Sequence, residues 1–89
     1  MEIPDEVIGD LRKRLRRIEG QVRGIEAMLA DGRECRDVVT QLSAANKALE
    51  QVGFRLIASG LAYCLEHPAE AAASGYSLDE VQRLFTKIG

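Results

Sequence analysis

The sequence predicts an all-α protein: two long antiparallel helices plus a short third, assembling as a helical-bundle dimer and then a dimer-of-dimers tetramer. Three observations lead there. Apolar residues recur at alternating steps of three and four along two long stretches, and no stretch alternates with the period of a strand. Eighty-nine residues with 4% aromatics and no Trp give one copy little core of its own, so oligomerisation is the expected remedy.

The first helix is expected from Pro4 or Asp5 to Ala30. Pro4 suits a first helical position, and Asp5 and Glu6 suit the positive end of the helix dipole. Its seam is Ile8, Leu11, Leu15, Ile18, Val22, Ile25 and Leu29, a heptad pattern. Asp31-Gly32 ends it as a turn. The second helix runs from about Glu34 to Glu66, with Val38, Leu42, Ala45, Leu49, Val52 and Leu56 as its seam. His67 precedes Pro68, which disfavours helix at that point, and residues 68–76 read as a linker. Ser77-Leu78-Asp79-Glu80 has the form of a capping box, and Val81, Leu84, Phe85 and Ile88 give the short third helix an apolar face.

Composition bounds the function. The chain reads as a single domain over 1–89, with no apolar stretch of membrane-spanning length and an acidic start unlike a secretory leader, so a cytoplasmic location is expected. Net charge is −2, yet residues 12–23 carry six basic side chains against one acidic, while residues 65–82 carry Glu66, Glu70, Asp79 and Glu80 and no Lys or Arg. No Cys-x-x-Cys and no base beside the thiols in sequence speak for a redox enzyme, and none is expected.

Cys35 and Cys64 lie 29 residues apart in the second helix, which is about eight turns, so both thiols point to nearly the same face. They are also about 43 Å apart along the axis, far beyond the ~7 Å that a disulfide permits between Cα atoms. They can meet if two copies of the helix pack antiparallel, with Cys35 of one chain beside Cys64 of the partner subunit. Inert burial is the bland reading of such thiols. Cys35 nevertheless stands at a helix N-terminus between Arg33 and Arg36, where thiolate is favoured. His67 follows Cys64 by three residues, a spacing that reaches one metal, though an exposed helix-end His is the commoner meaning. Gly53 and Gly60 inside the second helix suit a close helix approach or open space near the thiols.

The basic stretch supplies the candidate nucleic-acid contacts: Arg12, Lys13, Arg14, Arg16, Arg17 and Arg23. Arg12, Arg16 and Arg23 flank the seam, and Lys13 and Arg17 lie opposite it. A solvated helix face is the ordinary use of mixed charge. Four Arg within six positions are denser than solubility needs, and Arg binds phosphate bidentately.

Residues 14–29 (RLRRIEGQVRGIEAML) and 34–49 (ECRDVVTQLSAANKAL), followed by Cys64, resemble the CsoR-type transcriptional repressors. That family includes copper, nickel or cobalt, formaldehyde and persulfide sensors. The resemblance implies an all-α dimer of dimers that binds operator DNA through basic residues and is released by an inducer at the cysteines. Copper sensors of the family carry a His where Gly60 stands here, between positions matching Cys35 and Cys64. The nickel and cobalt branch uses an N-terminal His and further His ligands that this chain lacks. The formaldehyde branch uses an N-terminal Pro, where this chain has Met1 and Glu2 with Pro4 internal. The remaining pattern, two Cys and no His between them, resembles the persulfide-sensing, CstR-like branch.

The expectation is therefore a thiol-based repressor without a metal cofactor. Cys35 attacks a persulfide or polysulfide, and Cys64 of the partner subunit resolves the product to a cross-link that releases DNA. The alternatives are a Cu(I)-responsive repressor with a degenerate site of Cys35 and Cys64, His67 being a candidate further ligand, and a helical interaction module without DNA activity. Partners are operator double-stranded DNA and further copies of the chain, with no membrane.

Overall fold

The structure, a computed structural model, describes residues 3–89, so the reading placed on Met1 and Glu2 lies outside the described residues. Four helices follow one another: α1 (Asp5–Ala30), α2 (Cys35–Glu66), α3 (Pro68–Ala73) and α4 (Leu78–Ile88), with no strand among the described residues. The molecule is long and flat, 54 × 24 × 14 Å.

The α1–α2 hairpin is made by Gly32. Its φ of +69° is the left-handed conformation that glycine adopts without cost. The Gly32 N–H donates to the Leu29 carbonyl and the Arg33 N–H to the Met28 carbonyl, which satisfies the orphan carbonyls at the end of α1 and turns the chain back.

The two expected seams are each split in half. Leu11, Ile18 and Ile25, spaced by seven, are buried at 6–7% exposure. Ile8, Leu15, Val22 and Leu29, also spaced by seven, remain 40–65% exposed. On α2, Val38 and Ala45 are buried while Leu42, Leu49 and Leu56 are exposed. One row of each helix thus faces within the chain, where Ile25, Val38 and Ala45 form a cluster with Met28. The other rows form an apolar strip on the outside, with Leu15, Val22 and Leu49 lining one shallow depression.

Residues 68–76 are not a plain linker. Pro68 breaks α2 at His67, then serves as the first residue of α3, where its missing N–H costs nothing, and the Ala-rich PAEAAA segment carries the helix on. Gly75, at φ +85°, repeats the device of Gly32: its N–H donates to the Ala72 carbonyl and the Tyr76 N–H to the Ala71 carbonyl. Ser77 caps α4, its hydroxyl accepting from the Glu80 N–H at 3.1 Å. The Glu80 carboxylate turns to Arg83 instead of completing the box. α3 and α4 fold back on the C-terminal half of α2, where Ile57, Cys64, Ala71 and Val81 form a second core with Tyr63, Tyr76, Leu84 and Ile88 against it.

Candidate sensing thiols and nucleic-acid interface

The two cysteines occupy opposite ends of α2 and opposite surroundings. Cys35 is the first residue of α2 and is exposed; Cys64 lies two residues before its end and is 5% exposed. With 32 residues in a continuous helix, one chain cannot bring them together. Arg33, expected beside the Cys35 thiol, leans to Asp37 at 3.9 Å.

Cys64 is held by local structure. The turn that ends α3 aims the Tyr76 carbonyl back at α2, and the Cys64 thiol donates to it at 3.5 Å, a weak bond between groups twelve residues apart. His67 is seated elsewhere: its ring lies against Tyr63 with centroids 5.1 Å apart. No group of three or more His, Cys, Asp or Glu gathers among the described residues, so one chain offers no ready multidentate metal site.

Gly60 is buried one turn before Cys64, and with Gly53 it lines an apolar cavity of about 300 Å³ between α2 and α4. Gly53 permits the close helix approach, and Gly60 faces open space whose lining does not include Cys64. A Cβ at Gly53 would come within 2.5 Å of Ile88 Cδ1.

The basic stretch lies along the length of α1. Arg12, Lys13, Arg16, Arg17 and Arg23 are exposed. Arg14 differs: it is partly covered, and its Nε donates to Asp10 at 2.9 Å. That hydrogen bond holds the Asp10 carboxyl below its ordinary range, with the charges of Arg14, Arg55 and Lys13 acting the same way. Sequence reasoning counted Arg14 with its neighbours and missed Asp10, although the four-residue spacing of opposite charges was there to read. It also missed Tyr76, for which no short-range signal exists.

The described residues thus present exposed cations on α1 and two soft sulfur donors at opposite ends of α2. The model of the family described as metal-sensitive transcriptional repressor matches residues 9–87, and the chain belongs to that family. Its members are transcriptional repressors, not enzymes.

Two relatives carry copper in their names. The chain is 43% identical over 63 residues to the copper-sensing transcriptional repressor RicR of Mycobacterium tuberculosis, a match that spans 71% of this chain and 66%, just under two thirds, of that protein. It is 32% identical over 78 residues to the copper-sensing transcriptional repressor CsoR of Bacillus subtilis, spanning 88% of this chain and 77% of that one. The crystal structure of the copper-sensing repressor CsoR with Cu(I) from Geobacillus thermodenitrificans NG80-2 superposes with a TM-score of 0.74 at 38% identity, covering 99% of this chain and 88% of that one.

These findings bear out the repressor family and the all-helical fold, and they leave the CstR-like branch unconfirmed. Nothing in them supports persulfide sensing or thiol redox chemistry, and the copper alternative fits them better. The expectation of a regulator without a metal loses ground for the same reason. No helix among the described residues is long and apolar enough to cross a membrane.

Proposed function

We propose that the chain is a Cu(I)-responsive transcriptional repressor whose sensing site is shared between two copies. The observation that carries this reading is the placement of the two thiols at opposite ends of one unbroken α2. Cys35 is exposed at one end and Cys64 sits on nearly the same helix face at the other, so an antiparallel pair of α2 helices brings Cys35 beside Cys64 of the partner subunit, twice by symmetry. The exposed rows Ile8, Leu15, Val22 and Leu29 of α1, with Leu42, Leu49 and Leu56 of α2, supply apolar surface for such a pairing.

The donor chemistry fits. Thiolates are soft ligands of the kind Cu(I) selects, and a pair of them suffices for a low-coordinate soft cation. Cu(I), when bound, would supply a soft Lewis acid, and Cys35 with Cys64 of the partner subunit would hold it. His67 stands ready only if its ring leaves Tyr63. In the free protein, Arg12, Lys13, Arg16, Arg17 and Arg23 neutralise operator phosphates, with Arg14 contributing less because of Asp10. Cross-linking the subunits at the thiols biases the assembly away from its DNA-binding shape.

Operator binding followed during titration with Cu(I), and separately with polysulfide, tests the reading. Release by stoichiometric Cu(I) with no response to polysulfide is expected. Release by polysulfide with Cu(I) inert would return the chain to the persulfide branch.

A further inference from the structure

The C-terminal arm covers the Cys64 thiol, and it does so with little grip. Four features of the fold meet at this thiol. Cys64 is almost fully covered within its own chain: it shares a core cluster with Ile57, with Ala71 of α3 and with Val81 of α4, and its thiol meets the Tyr76 carbonyl between those two helices. The bond to Tyr76 is a weak thiol–carbonyl contact. Beneath α4 the packing is incomplete, with the apolar cavity of about 300 Å³ bounded by Ile57, Gly60, Val81, Leu84 and Ile88. At its far end α4 is fastened by Ile88 in the notch at Gly53 and by Phe85 tilted against Phe54 at 5.1 Å, with Phe85 largely exposed.

We propose that residues 68–88 form a hinged clamp over Cys64, and that Cys64 becomes available to a soft metal or electrophile only when α4 lifts from α2. The hinge is the His67–Pro68 break that ends α2, so that α3, the Tyr76 carbonyl and α4 swing together. The fasteners are Ile88 and Phe85, at the opposite end of α4 from the thiol. Opening costs the few apolar contacts of a short helix over a void, which places it among the local openings of low stability rather than global unfolding. The two sensor thiols therefore differ in kind: Cys35 is open at all times, and Cys64 is gated. This rests on the copper reading only for what the clamp admits; the gating itself does not depend on metal.

The test uses the full chain, metal-free, with both cysteines present. Alkylation by iodoacetamide is followed at each cysteine by peptide mass spectrometry, Cys35 serving as internal reference. In the wild type Cys64 should react at least about tenfold more slowly than Cys35. Ile88→Ala should raise the Cys64 rate by about tenfold, less than truncating a fully packed Ile would give because Ile88 is only half-buried, and leave the Cys35 rate unchanged. Gly53→Ala, which adds a good helix former to α2 while pushing Ile88 out, should act in the same direction and guards against simple loss of α2. Equal rates in the wild type, or no change in either variant, would overturn the clamp. Cu(I) affinity should tighten in Ile88→Ala by the same factor as the alkylation rate, since a site open only part of the time binds in proportion to its open fraction. An opened variant with unchanged Cu(I) affinity would overturn the gating of the metal. Absence of Cu(I) binding by wild type and variant alike would sink the copper reading, while the alkylation result would still decide the clamp.

Discussion

Arg14 donates to Asp10 at 2.9 Å across one turn of α1, which sets it apart from the other basic residues of the same stretch. Its guanidinium is partly covered and already engaged by a carboxylate, whereas Arg16 and Arg17 point into solvent. Replacing Arg16 or Arg17 by Ala should therefore weaken operator binding and reduce the salt slope by about one unit per lost phosphate contact. Arg14→Ala should do so by less. Asp10→Asn should strengthen binding and steepen the slope, because it frees a cation. Filter-binding or fluorescence titrations at several salt concentrations read all three. A slope unchanged by the Arg16→Ala/Arg17→Ala double variant would reduce the stripe to a solvated face.

The same pair gives a pH dependence of known sign. The Arg14 hydrogen bond lowers Asp10 below its ordinary value of 3.8. A carboxyl with a depressed folded-state value adds stability that is fully present above the ordinary value and lost as pH falls through the folded one. Asp10→Asn should remove that contribution and flatten the acid limb of thermal stability slightly. The effect should be small, since the pair is exposed and screened by solvent. Thermal melts between pH 7 and the acid range, wild type against variant, measure it; an acid limb steeper in the variant would contradict the sign.

How much of this was legible in the sequence depends on the range of the signal. The bounds of α1 and α2 could be read from a seven-residue seam and from Asp31-Gly32, because helix period and turn chemistry are local. Which half of each seam faces inward could not. Leu11 and Leu15 are the same residue on the same seam, and only the crossing of α1 over α2 decides that the first is buried and the second exposed. α3 is hidden in the sequence because a proline after α2 signals a break, and Pro68 is also the first residue of a new Ala-rich helix. The cover over Cys64 depends on a turn that throws Tyr76 back across twelve residues, and no periodicity encodes that.

The split seam separates stability from assembly. Ile18→Ala removes a residue packed inside the chain and should destabilise the fold by about 2–5 kcal/mol. Leu15→Glu and Leu49→Glu alter the exposed row and should leave the helical content of α1 and α2 in place while dissociating the assembly. Sedimentation and circular dichroism distinguish these outcomes. A wild type that sediments as a folded monomer at micromolar concentration would remove the basis for a shared site.

The shared site itself is tested most directly by mixing two defective chains. Cys35→Ser and Cys64→Ser each lack one donor, so homodimers of either variant contain no complete thiol pair. After subunit exchange, a mixed dimer regains one pair, Cys35 from one chain and Cys64 from the other, and one site without sulfur. Cu(I) titration of each variant alone should show loss of tight binding, and the exchanged mixture should recover one tight site per mixed dimer together with Cu(I)-dependent weakening of operator binding. Tight Cu(I) binding by either variant alone, or no recovery in a mixture whose exchange is verified by mass spectrometry, would contradict a sensing site built from Cys35 and Cys64 of the partner subunit.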